Sequence, residues 1–353
     1  MRYRIFDRHT GLRVSELALG TGNFGTAWGH GAERGEAKRI WDGFAEAGGN
    51  FIDTANGYQF GQSEEMVGEF IASDRDHFVL ATKYTLGTTP EAGISQTGNA
   101  RKNMASAVEA SLKRLKTDRI DLYWAHMADG VTPMEEILRG FDDLARAGKI
   151  LYAGLSNFPA WRIARAATMA ELRGSLPVAG IQIEYSLVER TPDRELLPMA
   201  EALGLGAALW SPLGGGFLTG KYRGDPEADN RLAKLGFLVH GEKSARETAL
   251  LDAVLAVAKE TGATPTHIAI AWLLHRAARS SNGLIPILGS RTRAQLDGTL
   301  GAVDVKLTAE QVNRLEAAGA VPLGVPHEQL RQTAPRLAGG KLELLDLPKL
   351  PVA

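Results

Sequence analysis

No cysteine occurs among the 353 residues. Disulfides, thiolate zinc sites and a cysteine nucleophile are therefore excluded. That absence fits a reducing compartment, so a cytoplasmic location is expected. Long apolar runs are also missing. Nowhere do ~18 consecutive apolar residues occur, and no transmembrane helix is expected. The opening segment MRYRIFDRHTGLRV lacks the apolar core of a signal peptide. Charge of one sign is not in excess either: 40 Lys and Arg face 41 Asp and Glu, for a net charge of −1. The cations are spread along the chain, which leaves no footprint for nucleic acid or an anionic membrane. The eight histidines show neither HxH nor HxxxH spacing. A barrel-type metal centre is therefore not expected, and a lysine at its mouth would repel a cation. No internal repeat and no low-complexity tract is present, and nothing sets an oligomeric state.

What remains is ordinary globular composition, 44% hydrophobic and 23% charged, with glycine in excess at 40 residues. Short apolar runs recur along the chain. They begin at Leu17-Ala18-Leu19, after a hairpin turning near Thr10-Gly11, and continue at Phe51-Ile52-Asp53 and Phe78 to Lys83. Further runs are Asp121 to His126, Leu151 to Ser156, Gly180 to Tyr185, Ala207 to Ser211 and Leu284 to Leu288. Four to six apolar residues between turn signals suit buried parallel strands. Helical spacing separates them: Met104, Val108, Leu112 and Leu115 share one face, as do Met134, Ile137, Leu138, Phe141 and Leu144. Eight strand–helix units without a long linker predict an α/β fold, a (β/α)8 TIM barrel with an N-terminal β-hairpin, although a doubly wound open sheet has similar periodicity. Thr308-Ala309-Glu310-Gln311 reads as a capping box opening an extra C-terminal helix through Ala318. The whole chain, 1–353, is expected to be one domain with a peripheral arm after about residue 340. The irregular stretch from about Gly214 to Gly241 is long enough for a functional loop.

In a barrel, polar residues at the C-terminal ends of strands face the active site. Asp53, Lys83 and His126 each close a strand, and Tyr58 follows five residues after Asp53, beside Gly57. Hydride arriving at a carbonyl carbon leaves charge on oxygen that needs a proton. Tyrosine, titrating near ~10, is a reluctant acid that a neighbouring lysine would improve. Asp53 would keep the ammonium charged, and His126 would orient the carbonyl. Singly, each residue has an ordinary reading: a turn cap, a solvated strand end, a core histidine, a rim aromatic.

The segment Phe51-Ile52-Asp53-Thr54-Ala55-Asn56-Gly57-Tyr58, with Ser63-Glu64 following, resembles the signature of the aldo-keto reductases over roughly residues 10–320. The resemblance implies the barrel, NADP(H) as cofactor, a small carbonyl or alcohol substrate, and a catalytic set of Tyr58, Asp53, Lys83 and His126. It implies cofactor contacts at Gly22, Asn23 and Phe24 for the nicotinamide ribose, and at Ser156, Asn157 and Gln182 for the carboxamide. Trp210 would stack on the nicotinamide. Ser211, Pro212, Leu213, Gly216, Leu218 and Lys221 belong to the loop crossing the pyrophosphate. Ser290, Arg291 and Gln295 are similar to the 2′-phosphate site, where a guanidinium and a helix N-terminus both suit phosphate. Thr299 departs from the asparagine common there, and Trp28 is a candidate wall of the substrate pocket.

Gly20-Thr21-Gly22-Asn23-Phe24-Gly25 satisfies GxGxxG, yet helical pattern begins only near Arg34 and Asp53 is too distant for the ribose acid. A Rossmann domain is rejected. The expected activity is NADPH-dependent reduction of aldehydes or ketones. A mainly oxidative sugar or polyol dehydrogenase and a non-enzymatic NADPH-sensing regulatory subunit stand as alternatives.

Overall fold

The computed structural model describes residues 1–223 and 240–346. An antiparallel hairpin, β1 (Tyr3–Ile5) and β2 (Arg13–Ser15), precedes eight parallel strands. These are β3 (Ala18–Gly20), β4 (Phe51–Asp53), β5 (Val79–Tyr84), β6 (Ile120–Ala125), β7 (Ile150–Ser156), β8 (Val178–Glu184), β9 (Gly206–Trp210) and β10 (Leu284–Leu288). They pair in chain order, and β10 pairs with both β9 and β3. That last pairing closes the sheet and excludes the doubly wound alternative.

Helices α1 (Arg34–Glu46), α2 (Gln62–Ile71), α3 (Arg101–Leu115), α4 (Met134–Arg146), α5 (Ala160–Arg173) and α6 (Leu196–Leu203) surround the first strands. After residues 224–239, α7 (Ala245–Thr261) and α8 (Pro265–Ala277) lead into β10, and α9 (Arg293–Leu300) follows it. The expected faces are those that pack inward: Met104, Val108 and Leu115 on α3 and Ile137 and Phe141 on α4 are buried, with Leu112 and Leu144 half-buried beside them.

Parallel strands lend alternate residues to the barrel interior. The inner core accordingly holds Phe51, Val79, Ala81, Leu122, Trp124, Ala208, Ile285 and Ile287. The hairpin connection plugs one end, where Phe6 packs edge-on against Phe51 and Trp124 at 5.8 and 6.4 Å. Gly154 and Gly180 make room for these rings, since a Cβ would lie 2.2 Å from Trp124 and 2.6 Å from Phe6. Period two then dictates what stands at the opposite end. After Phe51 comes Asp53, after Val79 and Ala81 comes Lys83, and after Leu122 and Trp124 comes His126.

The capping box forms as expected. Thr308 accepts from the Gln311 main chain, and Gln311 returns the bond to open α10 (Ala309–Gly319). A further surface helix, α11 (His327–Leu337), was not anticipated from sequence and buries no side chain. Part of the expected glycine-rich loop (224–239) and the end of the expected arm (347–353) lie outside the described residues. Among the described residues, no helix is long and apolar enough to cross a membrane.

Candidate active site

At the strand ends Lys83 is wholly buried and its ammonium donates to three oxygens: Asp53 Oδ2 at 2.6 Å, the Thr54 carbonyl at 2.7 Å and Tyr58 Oη at 3.0 Å. Asp53 is held from its other side by Gln182 Nε2 at 2.8 Å. Every donor of the lysine is therefore used. The phenol oxygen accepts from lysine, so its own proton is left for another acceptor.

Burial works against the Lys83 charge, but Asp53 and then Tyr58 outweigh it and hold the ammonium above the ordinary lysine range. For Tyr58 the balance differs from the sequence expectation. Burial raises the phenol pKa, and the pull of Lys83 offsets only part of that, with Asp53 adding to the rise. The lysine's effect has the expected sign but not the expected net result, because desolvation of the phenol outweighs it.

His126 stands edge-on to Tyr58, ring centroids 6.0 Å apart. Burial, with Lys83 adding repulsion, depresses its pKa to about 3, and its Nδ1 is buried without a partner. It is a neutral imidazole able to donate or accept one hydrogen bond. Its main-chain N–H donates to Thr85 Oγ1 at 3.1 Å, and Thr85 is itself anchored on Asn99 Oδ1 at 2.5 Å. Thr85 has φ +102°, a strained conformation for a β-branched residue. Such strain persists only where surroundings over-determine it, as this network does.

Three of the residues expected at the cofactor, Ser156, Asn157 and Trp210, are joined by hydrogen bonds. Asn157, in left-handed conformation at φ +54°, donates to the His126 carbonyl and to Ser156 Oγ, both at 3.0 Å. Its Oδ1 accepts from Trp210 Nε1 at 3.2 Å and fixes that half-buried indole. Ser211, also left-handed, accepts from Gly215 at 3.0 Å. Gly214, Gly215 and Gly216 all have positive φ, which builds a side-chain-free stretch of loop beyond Pro212 and Leu213. Gly22 lies against the Tyr58 ring, and Asn23 Nδ2 bonds the Gly289 carbonyl at 2.9 Å, joining the loops after β3 and β10. Lys221 Nζ lies 4.8 Å from the Tyr222 ring. Ser290 is buried and Arg291 exposed. Gln295 reaches back to the Arg291 main chain at 2.9 Å while its own N–H is capped by Thr292.

Some expected contacts have side chains turned away. Phe24 and Leu218 are fully buried in the core, Phe24 against Phe70 at 6.2 Å. Their side chains are thus not available to a ligand. The Thr299 hydroxyl bonds its own helix at the Gln295 carbonyl, 2.8 Å away. The GxGxxG residues run from the end of β3 at Gly20 into a loop, with no helix before Arg34.

Beside Tyr58 and His126 opens a cleft of about 260 Å³ walled by Trp28, Phe60, Leu86, Thr89 and Pro90. Trp28 was the one of these expected from sequence as a pocket wall. Phe60, Leu86, Thr89 and Pro90 were not, because they lie in loops without periodicity. Among the described residues Glu184, Glu189 and His240 also approach one another near the end of β8, with His240 Nε2 2.9 Å from Glu184 Oε1.

A closed parallel barrel with a buried Lys–Asp–Tyr cluster and a neutral histidine at its C-terminal mouth defines the protein class. The aldo/keto reductase family model matches residues 16–320, and the chain belongs to that family. It is 36% identical over 340 residues to norsolorinic acid reductase of Aspergillus flavus, covering 94% of this chain and 84% of that protein. It is 33% identical to an aryl-alcohol dehydrogenase of Pestalotiopsis microspora over 93% of this chain and 85% of that one. It is 38% identical to an uncharacterized oxidoreductase of Bacillus subtilis over 89% and 95%. The protein is an oxidoreductase of the carbonyl–alcohol type.

Proposed function

We propose that this protein is a cytoplasmic single-domain enzyme that reduces neutral, ring-bearing aldehydes or ketones with NADPH, with Tyr58 as proton donor. The observation carrying this reading is the Lys83 ammonium bonded at once to Asp53 and Tyr58 in a buried site. When bound, NADPH would supply the hydride. The substrate oxygen, gaining charge, draws the Tyr58 proton, and Lys83 stabilises the phenolate left behind. Asp53 and Gln182 keep Lys83 aimed. Neutral His126 offers the substrate oxygen a hydrogen bond and turns the carbonyl toward Tyr58.

The residues fit such a cofactor. Ser156, Asn157 and Gln182 would hold the carboxamide, Trp210 would take the ring face, and the left-handed glycines would let a pyrophosphate approach the main chain. Lys221 would add a cation on the same loop. Arg293 is tied up by Asp297 and Glu46, whereas Arg291 has no ion-pair partner among the described residues. Set beside the N-terminus of α9, that free guanidinium suits a 2′-phosphate and is the reason to prefer NADPH.

Trp28, Phe60, Leu86 and Pro90 make the cleft walls mainly apolar, which favours an apolar carbonyl over a hydroxyl-rich sugar or polyol. The relative named for aryl alcohols points the same way. The test is NADPH consumption with a neutral aromatic aldehyde and with an open-chain aldose. We expect alcohol from the aromatic aldehyde at the higher kcat/KM; faster aldose turnover, or none with either, would refute the reading.

A further inference from the structure

We infer that Gln59 is a positioning residue that sets affinity for ring-bearing substrates by holding Trp28 in place as the wall of the cleft; this rests on the cleft being the substrate site. Gln59 follows Tyr58 directly and is fully buried, although it is polar and lies in a loop. Its backbone and that of Phe60 are both left-handed, at φ +49° and +54°, in consecutive non-glycine residues. Such strain needs compensation from the surroundings.

The side chain supplies it. Oε1 accepts from the Trp28 main-chain N–H at 2.9 Å. Nε2 donates to the carbonyls of Gly22 and His30, both at 3.1 Å. Both amide hydrogens and the amide oxygen are thus spent on one loop, residues 22–30. Gln62 adds a second tie, accepting from the Thr26 N–H at 3.0 Å. The loop is shaped to receive them: a Cβ on Gly25 would stand 2.9 Å from Gln59 Cβ and 2.7 Å from Gln62 Oε1. A Cβ on Gly31 would stand 2.0 Å from the Gly25 carbonyl and 3.2 Å from Gln59 Nε2.

The consequence falls on Trp28. Its indole is 39% exposed, so packing alone does not fix it. It meets Tyr58 and Phe60 edge-on at 6.0 and 6.4 Å, and these three rings form one side of the cleft. The strained turn that presents Tyr58 therefore also holds, through one amide, the aromatic wall that a substrate ring would meet. The Gly22 end of the loop has independent anchors, Thr21 on the Asp53 carbonyl at 2.9 Å and Asn23 on Gly289 at 2.9 Å. Loss of Gln59 should therefore loosen Trp28 while sparing the cofactor side.

The test is Gln59→Met, which keeps length and apolar bulk but none of the three bonds. KM for a neutral aromatic aldehyde should rise about tenfold with kcat within about threefold, the signature of lost uniform binding. KM for acetaldehyde, too small to span the cleft to Trp28, and the Kd for NADPH should stay within about twofold. Trp28→Ala should show the same pattern, and the double variant should add little to either single one, because both remove the same wall. Calorimetric titration of the aromatic aldehyde into the cofactor-loaded protein reads the same loss without turnover. Failure of the proposed reaction therefore shows in wild-type turnover alone, and failure of this inference in binding. Should Gln59→Met not fold, Gln59→Glu keeps the acceptor for Trp28 but removes both donated bonds, to Gly22 and His30, and should give the same selective loss in smaller degree. An unchanged aromatic KM, an equal loss for both aldehydes and cofactor, or additive effects with Trp28→Ala would overturn the inference.

Discussion

Replacing Lys83 by Met removes a wholly buried ammonium while keeping most of the stem volume. The Asp53 carboxylate, 3% exposed, then retains Gln182 as a donor but loses its counter-ion at 2.6 Å. Breaking a buried pair by removing one partner costs about 3–5 kcal/mol, mainly because the other charge is stranded. With an unfolding entropy of ~2.1 cal/mol/K per residue, the full chain loses roughly 4–7 °C in Tm. Lys83→Met with Asp53→Asn should recover most of this, since Asn keeps an acceptor for Gln182 and strands no charge. The double variant should stay inactive. Because the folded-state pKa of Lys83 is raised, its stabilisation is fully present below the ordinary lysine pKa, ~10.4, and is lost as pH rises through the folded value. The wild-type advantage over Lys83→Met should thus be level across neutral pH and shrink only in strong alkali. Denaturant melts at several pH values measure it. A single-variant loss below ~1 kcal/mol, or a double variant no better than the single, would refute the reasoning.

Tyr58 must be protonated to act as acid, and burial raises its pKa. The kcat/KM for carbonyl reduction should therefore hold level through neutral pH and fall only above ~10. His126, neutral above about 3, should contribute no inflection near ~6.5; a histidine-like limb abolished by His126→Gln would contradict this. Arg291→Ala should raise KM for NADPH about 10- to 100-fold, the scale of a lost charge-assisted contact, and leave NADH within about threefold. Equal losses for both cofactors would remove the phosphate role from Arg291.

The barrel strands were legible because parallel strands covered on both faces must be apolar throughout, and the eight runs declared themselves. Period two within them also carried Asp53, Lys83 and His126 to the same end as Tyr58. Closure was not legible, since it depends on β10 meeting β3 across the full length of the chain. Nor was the net upward shift of Tyr58, which reflects burial created by the assembled site rather than any neighbour in sequence. Phe60 and Leu86 reach the cleft through loops, and Gln59 through a left-handed turn that hydrophobic periodicity cannot register. A glutamine between two aromatic residues, Tyr58 and Phe60, was the one hint the sequence carried. Phe24 and Leu218 show the converse: motif position placed them at the ligand, while the fold spends their side chains on the core.

The most direct test of the account is single-turnover oxidation of bound NADPH by an aromatic aldehyde in wild type and in Tyr58→Phe. The variant loses the phenol hydroxyl but keeps the ring that packs on Gly22 and Trp28. Cofactor affinity should be unchanged and the reduction rate should fall at least ~100-fold, the scale of general acid catalysis. A Tyr58→Phe enzyme that reduces the aldehyde within a few-fold of the wild-type rate would contradict the assignment of the proton donor.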